Sequence, residues 1–197
     1  MAILHLYLCV RDLFRVFMES QTQLENIVVR CKSGEREAFE KLFELYQPRL
    51  KYYIRRLDSS GETDDILQNI WVTVFRKIRK LKDNNSFGVW LYRIARNEVF
   101  GRFRQNQKFV ELPEENEHPQ YNDDNNEFSA EDAQKLHNAL NKIQPYHREV
   151  LTLSFIEQMS YQQIAEVVGC NIGTVRSRIF YAKQSLRKEM ERNNGQL

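Results

Sequence analysis

Apolar side chains recur at three- and four-residue intervals along most of this 197-residue chain, the spacing that lays a buried stripe on an α-helix. Leu24, Ile27, Val28 and Cys31 form the first stripe, which ends near Ser33–Gly34. Phe39, Leu42, Phe43 and Tyr46 form a second, expected to run only as far as Pro48. Leu50, Tyr53, Ile54 and Leu57 follow, broken by Ser59–Ser60–Gly61. Asp64 and Asp65 then fall in a first turn, where carboxylates complement the positive end of the helix dipole, ahead of Ile66, Ile70, Val74 and Ile78. Asp83–Asn84–Asn85–Ser86 reads as a loop, with Ser86 able to cap a helix that carries Trp90, Leu91, Ile94, Ala95 and Val99.

The pattern lapses between Gln105 and Ser129, a polar stretch that contains Pro113 and Pro119 and reads as a linker. At ~25 residues of at most ~3.3 Å each it can span about 80 Å, more than two turns of duplex at roughly 70 Å. Helical spacing resumes with Leu136, Ala139, Leu140 and Ile143, and Pro145 introduces a helix bearing Val150, Leu151, Leu153 and Phe155. The expected architecture is all-α: two small helical domains joined by a flexible acidic linker. Residues 1–23 are an N-terminal extension, 24–104 a helical bundle and 105–130 the linker. Residues 131–192 form a four-helix domain that ends in a helix-turn-helix.

That helix-turn-helix is the most specific local signal. Ser160 and Gln163 have the S-x-x-Q spacing of a capping box. Ile164, Ala165, Val167 and Val168 give one apolar face, and Gly169 suits the left-handed residue that ends a helix. Ile172, Val175, Ile179, Ala182 and Leu186 then define the stripe of a second helix. At ~100° per residue, Ser177, Phe180, Tyr181 and Gln184 fall opposite that stripe, with Arg176 and Lys183 on one flank and Arg178 on the other. An exposed Phe180 makes sense against thymine methyl groups, beside an Arg that can bond a guanine edge and Lys heads on phosphates. The competing reading is an amphipathic helix that packs on another protein.

Charge adds order to this picture. The net charge of +2 says little, but its distribution is uneven. Arg76, Lys77, Arg79, Lys80 and Lys82 cluster, followed by Arg93, Arg96, Arg102, Arg104 and Lys108. From Phe109 to Gln134 there is no Lys or Arg, and basic residues return in the last helix. Two nucleic-acid-facing modules joined by an acidic strap fit this order; solvated helix faces are the plainer alternative for the first cluster.

Catalytic and metal chemistry find little support. His5, His118, His137 and His147 are scattered, no Gly-rich phosphate loop is present, and Asp64–Asp65 suit a helix start better than a metal. Cys9, Cys31 and Cys170 lack C-x-x-C or His partner spacing, so neither a disulfide frame nor a zinc site is indicated, and a reducing cytoplasm is the expected location. No enzyme, cofactor or small-molecule substrate is expected. Met1 to Val10 is apolar but lacks a basic leader and is interrupted by Arg11–Asp12. Either Met18 is the true start, the preferred reading, or these residues form a short amphipathic extension.

Three segments carry a family resemblance: GEREAFEKLFELYQPRL from Gly34, DDILQNIWVTVFRKI from Asp64 with FGVWLYRIARN from Phe87, and SYQQIAEVVGCNIGTVRSRIFYAKQSLRK from Ser160. From Glu25 to Glu189 the chain resembles a bacterial RNA polymerase sigma factor of the extracytoplasmic-function (ECF) group. The resemblance implies a dissociable subunit that binds core RNA polymerase, recognises promoter DNA and assists local melting. It implies that Asp64, Asp65 and Gln68 grip the polymerase clamp. The loop Lys82 to Gly88, with Phe87, Trp90, Arg93, Arg96 and Asn97, would open and read the minus-ten element, Asn97 helping to capture a flipped base. Core packing is the other reading of Trp90. Thr174, Arg176, Ser177, Phe180 and Lys183 would read the minus-thirty-five element. A membrane-associated anti-sigma factor is a further implied partner. The chain departs from the family at Gln144–Pro145, where Leu-Pro is common, and at Gly101–Arg102, where Asp and Tyr are common, so no role is carried to Gly101. The alternative function is a helix-turn-helix regulator that acts on inverted half-sites without core polymerase.

Overall fold

The computed structural model describes residues 21–58, 61–105, 136 and 138–194, and among these the regular structure is helical with no strand. The all-α expectation holds. The N-terminal extension to residue 20 and the expected linker from 106 on lie outside the described residues. The chain divides into two compact units, Met1–Ile54 with Ser60–Phe100, and Arg55–Ser59 with Gly101–Leu197.

In the first unit, α1 (Gln21–Lys32) is followed by α2 (Arg36–Leu57), α3 (Thr63–Lys77) and α4 (Phe87–Gln105). Short 3-10 turns occupy Ile78–Lys80 and Asn84–Ser86. The sequence pattern placed a break at Pro48, yet α2 runs through it without interruption. Proline inside a helix costs about 3 kcal/mol. Leu42, Tyr46, Leu50, Tyr53 and Ile54 nevertheless form one continuous buried stripe across Pro48, and each such side chain stabilises by about 1.5–3 kcal/mol when removed from water. Pro48 itself is exposed, so its ring meets nothing in the core. Tertiary burial outweighs the local penalty.

Ile66, Leu67, Ile70 and Val74 bring α3 onto this stripe, and Leu91, Tyr92, Ala95 and Val99 bring α4. Tyr53 and Tyr92 meet edge to face with ring centres 5.1 Å apart. Asp64 and Asp65 stand in the first turn of α3 as expected. In the loop before α4, Asp83 caps the 3-10 turn at Asn84–Ser86, accepting the Asn85 N–H at 3.1 Å. The Ser86 hydroxyl donates to the Asp83 carbonyl at 2.8 Å.

The second unit contains helical residues 138–142, then α5 (Pro145–Leu151), α6 (Tyr161–Val168) and α7 (Ile172–Asn194). Pro145 occupies the first turn of α5, where its missing N–H costs no helical hydrogen bond. A π-turn follows at Thr152–Ile156, closed by Glu157 N–H on the Thr152 carbonyl at 3.1 Å. This widened turn rotates the chain so that Leu153 is buried but Phe155, grouped with the apolar stripe from its sequence, is 56% exposed. Ala139, Ile143, Val150, Ile164, Val167, Val175, Ile179 and Ala182 make the core.

Candidate functional site

Three surfaces hold the residues singled out from the sequence. The first is the helix-turn-helix. The Ser160 hydroxyl accepts the Gln163 N–H at 3.2 Å while the Gln163 side chain accepts the Ser160 N–H at 2.9 Å, the reciprocal cap expected from the spacing. Gly169 turns left-handed at φ 72, which a side chain would resist, and Cys170 N–H closes on the Ala165 carbonyl. Asn171 starts α7: its Oδ1 accepts from both the Thr174 N–H at 2.7 Å and the Thr174 hydroxyl at 2.9 Å. The sequence reading passed over Asn171, although Asn three residues before Thr is a helix-start signal.

On α7, Val175, Ile179 and Ala182 face the core and Arg176 is exposed. Phe180 and Tyr181 are half-buried, edge to face at 5.4 Å. The Lys183 ammonium stands 5.3 Å from the Phe155 ring centre. Ser177 corrects the helical-wheel expectation: it is 3% exposed, and its hydroxyl donates to the Gly173 carbonyl at 3.2 Å. A short hydroxyl side chain can satisfy itself on its own helix, which no wheel anticipates. Arg178 is buried too, with Nη1 4.0 Å from Cys170 Sγ. Behind α7, the His147 ring is buried, and burial, reinforced by the Arg178 charge, pushes its pKa below the usual histidine value.

The second surface lies on α2 and α3. Asp64, Asp65 and Gln68 are all exposed, and Asp64 accepts from the Lys51 ammonium at 2.8 Å. Beside them runs an apolar groove of about 680 Å³, lined by Phe39, Phe43, Leu67, Trp71, Val72 and Phe75 among others. Phe75 is 69% exposed. Its ring meets Phe39 edge to face at 5.4 Å, and Phe43 lies 4.9 Å from Trp71. Trp71 Nε1–H donates to Gln47 Oε1 at 2.6 Å, fixing the ring that floors the groove. Sequence reasoning took Phe39 and Phe43 for core. Their i, i+4 spacing, one position off the Ala38–Leu42–Tyr46 stripe, marks them as a second, outward row.

The third surface is on α4 and the turn before it. Trp90, Arg93 and Asn97 share one face; Arg93 and Asn97 are exposed and Trp90 is half-buried. The Arg96 guanidinium lies over the Phe100 ring at 4.5 Å. Phe87, expected among the DNA-facing residues, is 0% exposed and packs edge to face on Tyr46 at 5.3 Å. It supports the surface from below and touches Trp90, whose ring centre is 5.9 Å away. Arg76, Lys77, Arg79, Lys80 and Lys82 are all exposed around the same turn.

Both units have counterparts among known proteins. Residues 42–109 match Sigma-70 region 2 and residues 133–186 match Sigma-70, region 4. The ECF RNA polymerase sigma-E factor of Haemophilus influenzae is 28% identical over 186 residues, which cover 88% of this chain and 98% of the relative. The chain belongs to the Sigma-70 family of RNA polymerase sigma factors and is similar to its ECF members.

The sigma-E factor of Escherichia coli K12 is 27% identical over 186 residues, covering 88% of this chain and 97% of its own. The RNA polymerase sigma-H factor of Pseudomonas aeruginosa is 29% identical over 191 residues, with coverage of 88% and 97%. Among solved structures, the sigma factor RpoE of Bartonella quintana, in complex with the anti-sigma factor NepR, superposes with TM-score 0.61 at 25% identity, covering 78% of this chain and 96% of that one. This sigma factor therefore acts with RNA polymerase and promoter DNA. No helix among the described residues is long and apolar enough to cross a membrane.

Proposed function

We propose that the three surfaces divide the work of initiation, in the cytoplasm and with no bond-making chemistry in the sigma factor itself. Asp64, Asp65 and Gln68, together with the apolar groove beside them, take core RNA polymerase. Trp90, Arg93, Arg96 and Asn97 meet the opened minus-ten element. Thr174, Arg176, Phe180 and Lys183 meet the minus-thirty-five element, with Ser177 and Phe87 holding their helices in shape. Residues 24–104 and 131–192 are the corresponding domains.

The groove carries this assignment. A freely soluble DNA-binding regulator has no need of Phe75 in water, whereas an apolar trough rimmed by carboxylates suits a helical partner that has apolar and basic residues. Aromatic rings at Trp90 and guanidinium groups at Arg93 and Arg96 suit a strand taken out of the duplex: stacking on a ring is worth about 1–3 kcal/mol per base, comparable to the few kcal/mol per step needed for unstacking. An anti-sigma factor, as found with the Bartonella quintana protein, would act by covering the same groove.

Purified full-length protein, core RNA polymerase and a set of candidate promoters test the assignment. Run-off transcripts from a matched promoter, lost on Phe75→Asp, are expected. DNA binding as a dimer on inverted half-sites, with no transcript when core enzyme is added, would instead establish the regulator.

A further inference from the structure

The turn before α4 is not held by its own ends alone. Lys32, the last residue of α1, donates from its ammonium to Asn84 Oδ1. Two residues further on, Gly34 adopts φ 91, and a β-carbon there would lie 3.2 Å from Arg79 Nη2. The end of α1 thus meets both the basic 3-10 turn at Ile78–Lys80 and the capped turn at Asn84–Ser86. The intervening turn is itself braced: Arg30 Nε donates to Glu35 Oε2 at 2.7 Å, and Glu35 N–H returns to the Arg30 carbonyl at 3.1 Å.

The chemistry of the Lys32–Asn84 pair is directional. An ammonium only donates, so it selects the oxygen of the Asn84 amide and turns the NH₂ to the other side. Without that partner, the amide can rotate by half a turn and offer an acceptor where it had offered a donor. Asp83 fixes the backbone of the same turn through Asn85 N–H, so the side-chain amide is the part left for Lys32 to orient.

We propose that Lys32 is a positioning residue for base choice in the minus-ten element: it holds Asn84 with its NH₂ presented as a donor to a base carbonyl or ring nitrogen. This rests on the assignment of the Lys82 to Gly88 loop to the opened minus-ten strand. The matching base is one whose exposed edge places an acceptor, a carbonyl oxygen or an unprotonated ring nitrogen, opposite that NH₂.

The test uses the full-length protein with core polymerase on promoters that differ at single minus-ten positions, reading initial run-off rates as matched-to-mismatched ratios. Thermal midpoint and core affinity are measured beside them. Lys32→Met is expected to lower the ratio at one position about five- to tenfold, the scale of one hydrogen bond. Lys32→Arg should preserve the ratio. Lys32→Met added to Asn84→Ala should lower it no further than Asn84→Ala alone. Asn84→Asp keeps the acceptor for Lys32 but loses the NH₂, and should lose the ratio with the fold intact.

Unchanged ratios in Lys32→Met, with a loss in Asn84→Ala, would overturn the positioning role and leave the loop assignment standing. Unchanged ratios in Asn84→Ala, Asn84→Asp and Asn85→Ala alike would remove the loop assignment and the proposal with it. An equal fall on every promoter, accompanied by a lower thermal midpoint, would make Lys32 merely structural.

Discussion

The two units place the helices assigned to DNA in the proposal by different physical means. In the second unit the placement of α7 is largely local: a reciprocal cap at Ser160 and Gln163, a left-handed Gly169, and Asn171 holding Thr174. In the first unit, α4 is placed by distant partners. Phe87 rests on Tyr46, Tyr92 on Tyr53, and the turn before the helix is joined to α1 through Lys32. A locally specified helix can be recognised from a few residues. One that depends on tertiary partners cannot, and it is also the more sensitive to changes far away in sequence.

Removing an aromatic support should break the contrast most sharply. Phe87→Ala is expected to cost about 3–5 kcal/mol of stability in urea unfolding, the range for truncating a buried aromatic. A cost below 1 kcal/mol would mean that α4 stands without its tertiary support. Phe75→Ala, on the same unit but 69% exposed, should leave stability within about 0.5 kcal/mol. It should instead weaken core polymerase binding by about 2 kcal/mol, roughly thirtyfold, as an interface anchor does. Equilibrium titration with labelled core enzyme separates the two effects.

The units should also respond to pH in opposite directions. Burial, and then the charge of Glu35, pushes the Cys31 thiol from 9.0 up to about 11. The folded state favours the neutral thiol, so this stabilisation is complete below pH 9.0 and is lost as pH rises through about 11. His147 is shifted the other way. Burial, and then Arg178, lower its pKa from 6.5, so the folded state favours the neutral ring; its contribution is complete above pH 6.5 and is lost as pH falls below that. Urea midpoints across this range should show an alkaline limb flattened by Cys31→Ala and an acid limb flattened by His147→Gln. If each substitution acted on the other limb, the assignment would be wrong. The smallest effect is expected at the local cap, where Ser160→Ala should cost about 1 kcal/mol, read as a small fall in thermal midpoint and a matching loss of minus-thirty-five binding.

Much of the architecture was legible because helix periodicity is set by residues three and four apart. The stripes of α1, α3, α4 and α7 were identified in this way, as was the first-turn position of Asp64 and Asp65. Pro48 misled because its penalty is local, while the compensating burial on either side is not. Phe155 misled because a π-turn shifts the phase of the helix by one residue, which periodicity alone does not encode. The candidate surfaces were legible as clusters of residue types, yet membership was not: Arg93 and Asn97 are exposed, whereas Phe87 is wholly buried a few positions before them.

The sequence by itself determined what near neighbours control: the helices, the cap at Ser160, the left-handed stop at Gly169, and the basic–acidic–basic order of charge. Only the tertiary structure decided which aromatic residues face water, since Phe75 and Phe87 are the same residue type and differ only in what packs over them. It also decided that Lys32 meets Asn84, a contact between residues 52 apart. Such pairings depend on how whole helices stack, because burial is shared among side chains that no short stretch of sequence brings together.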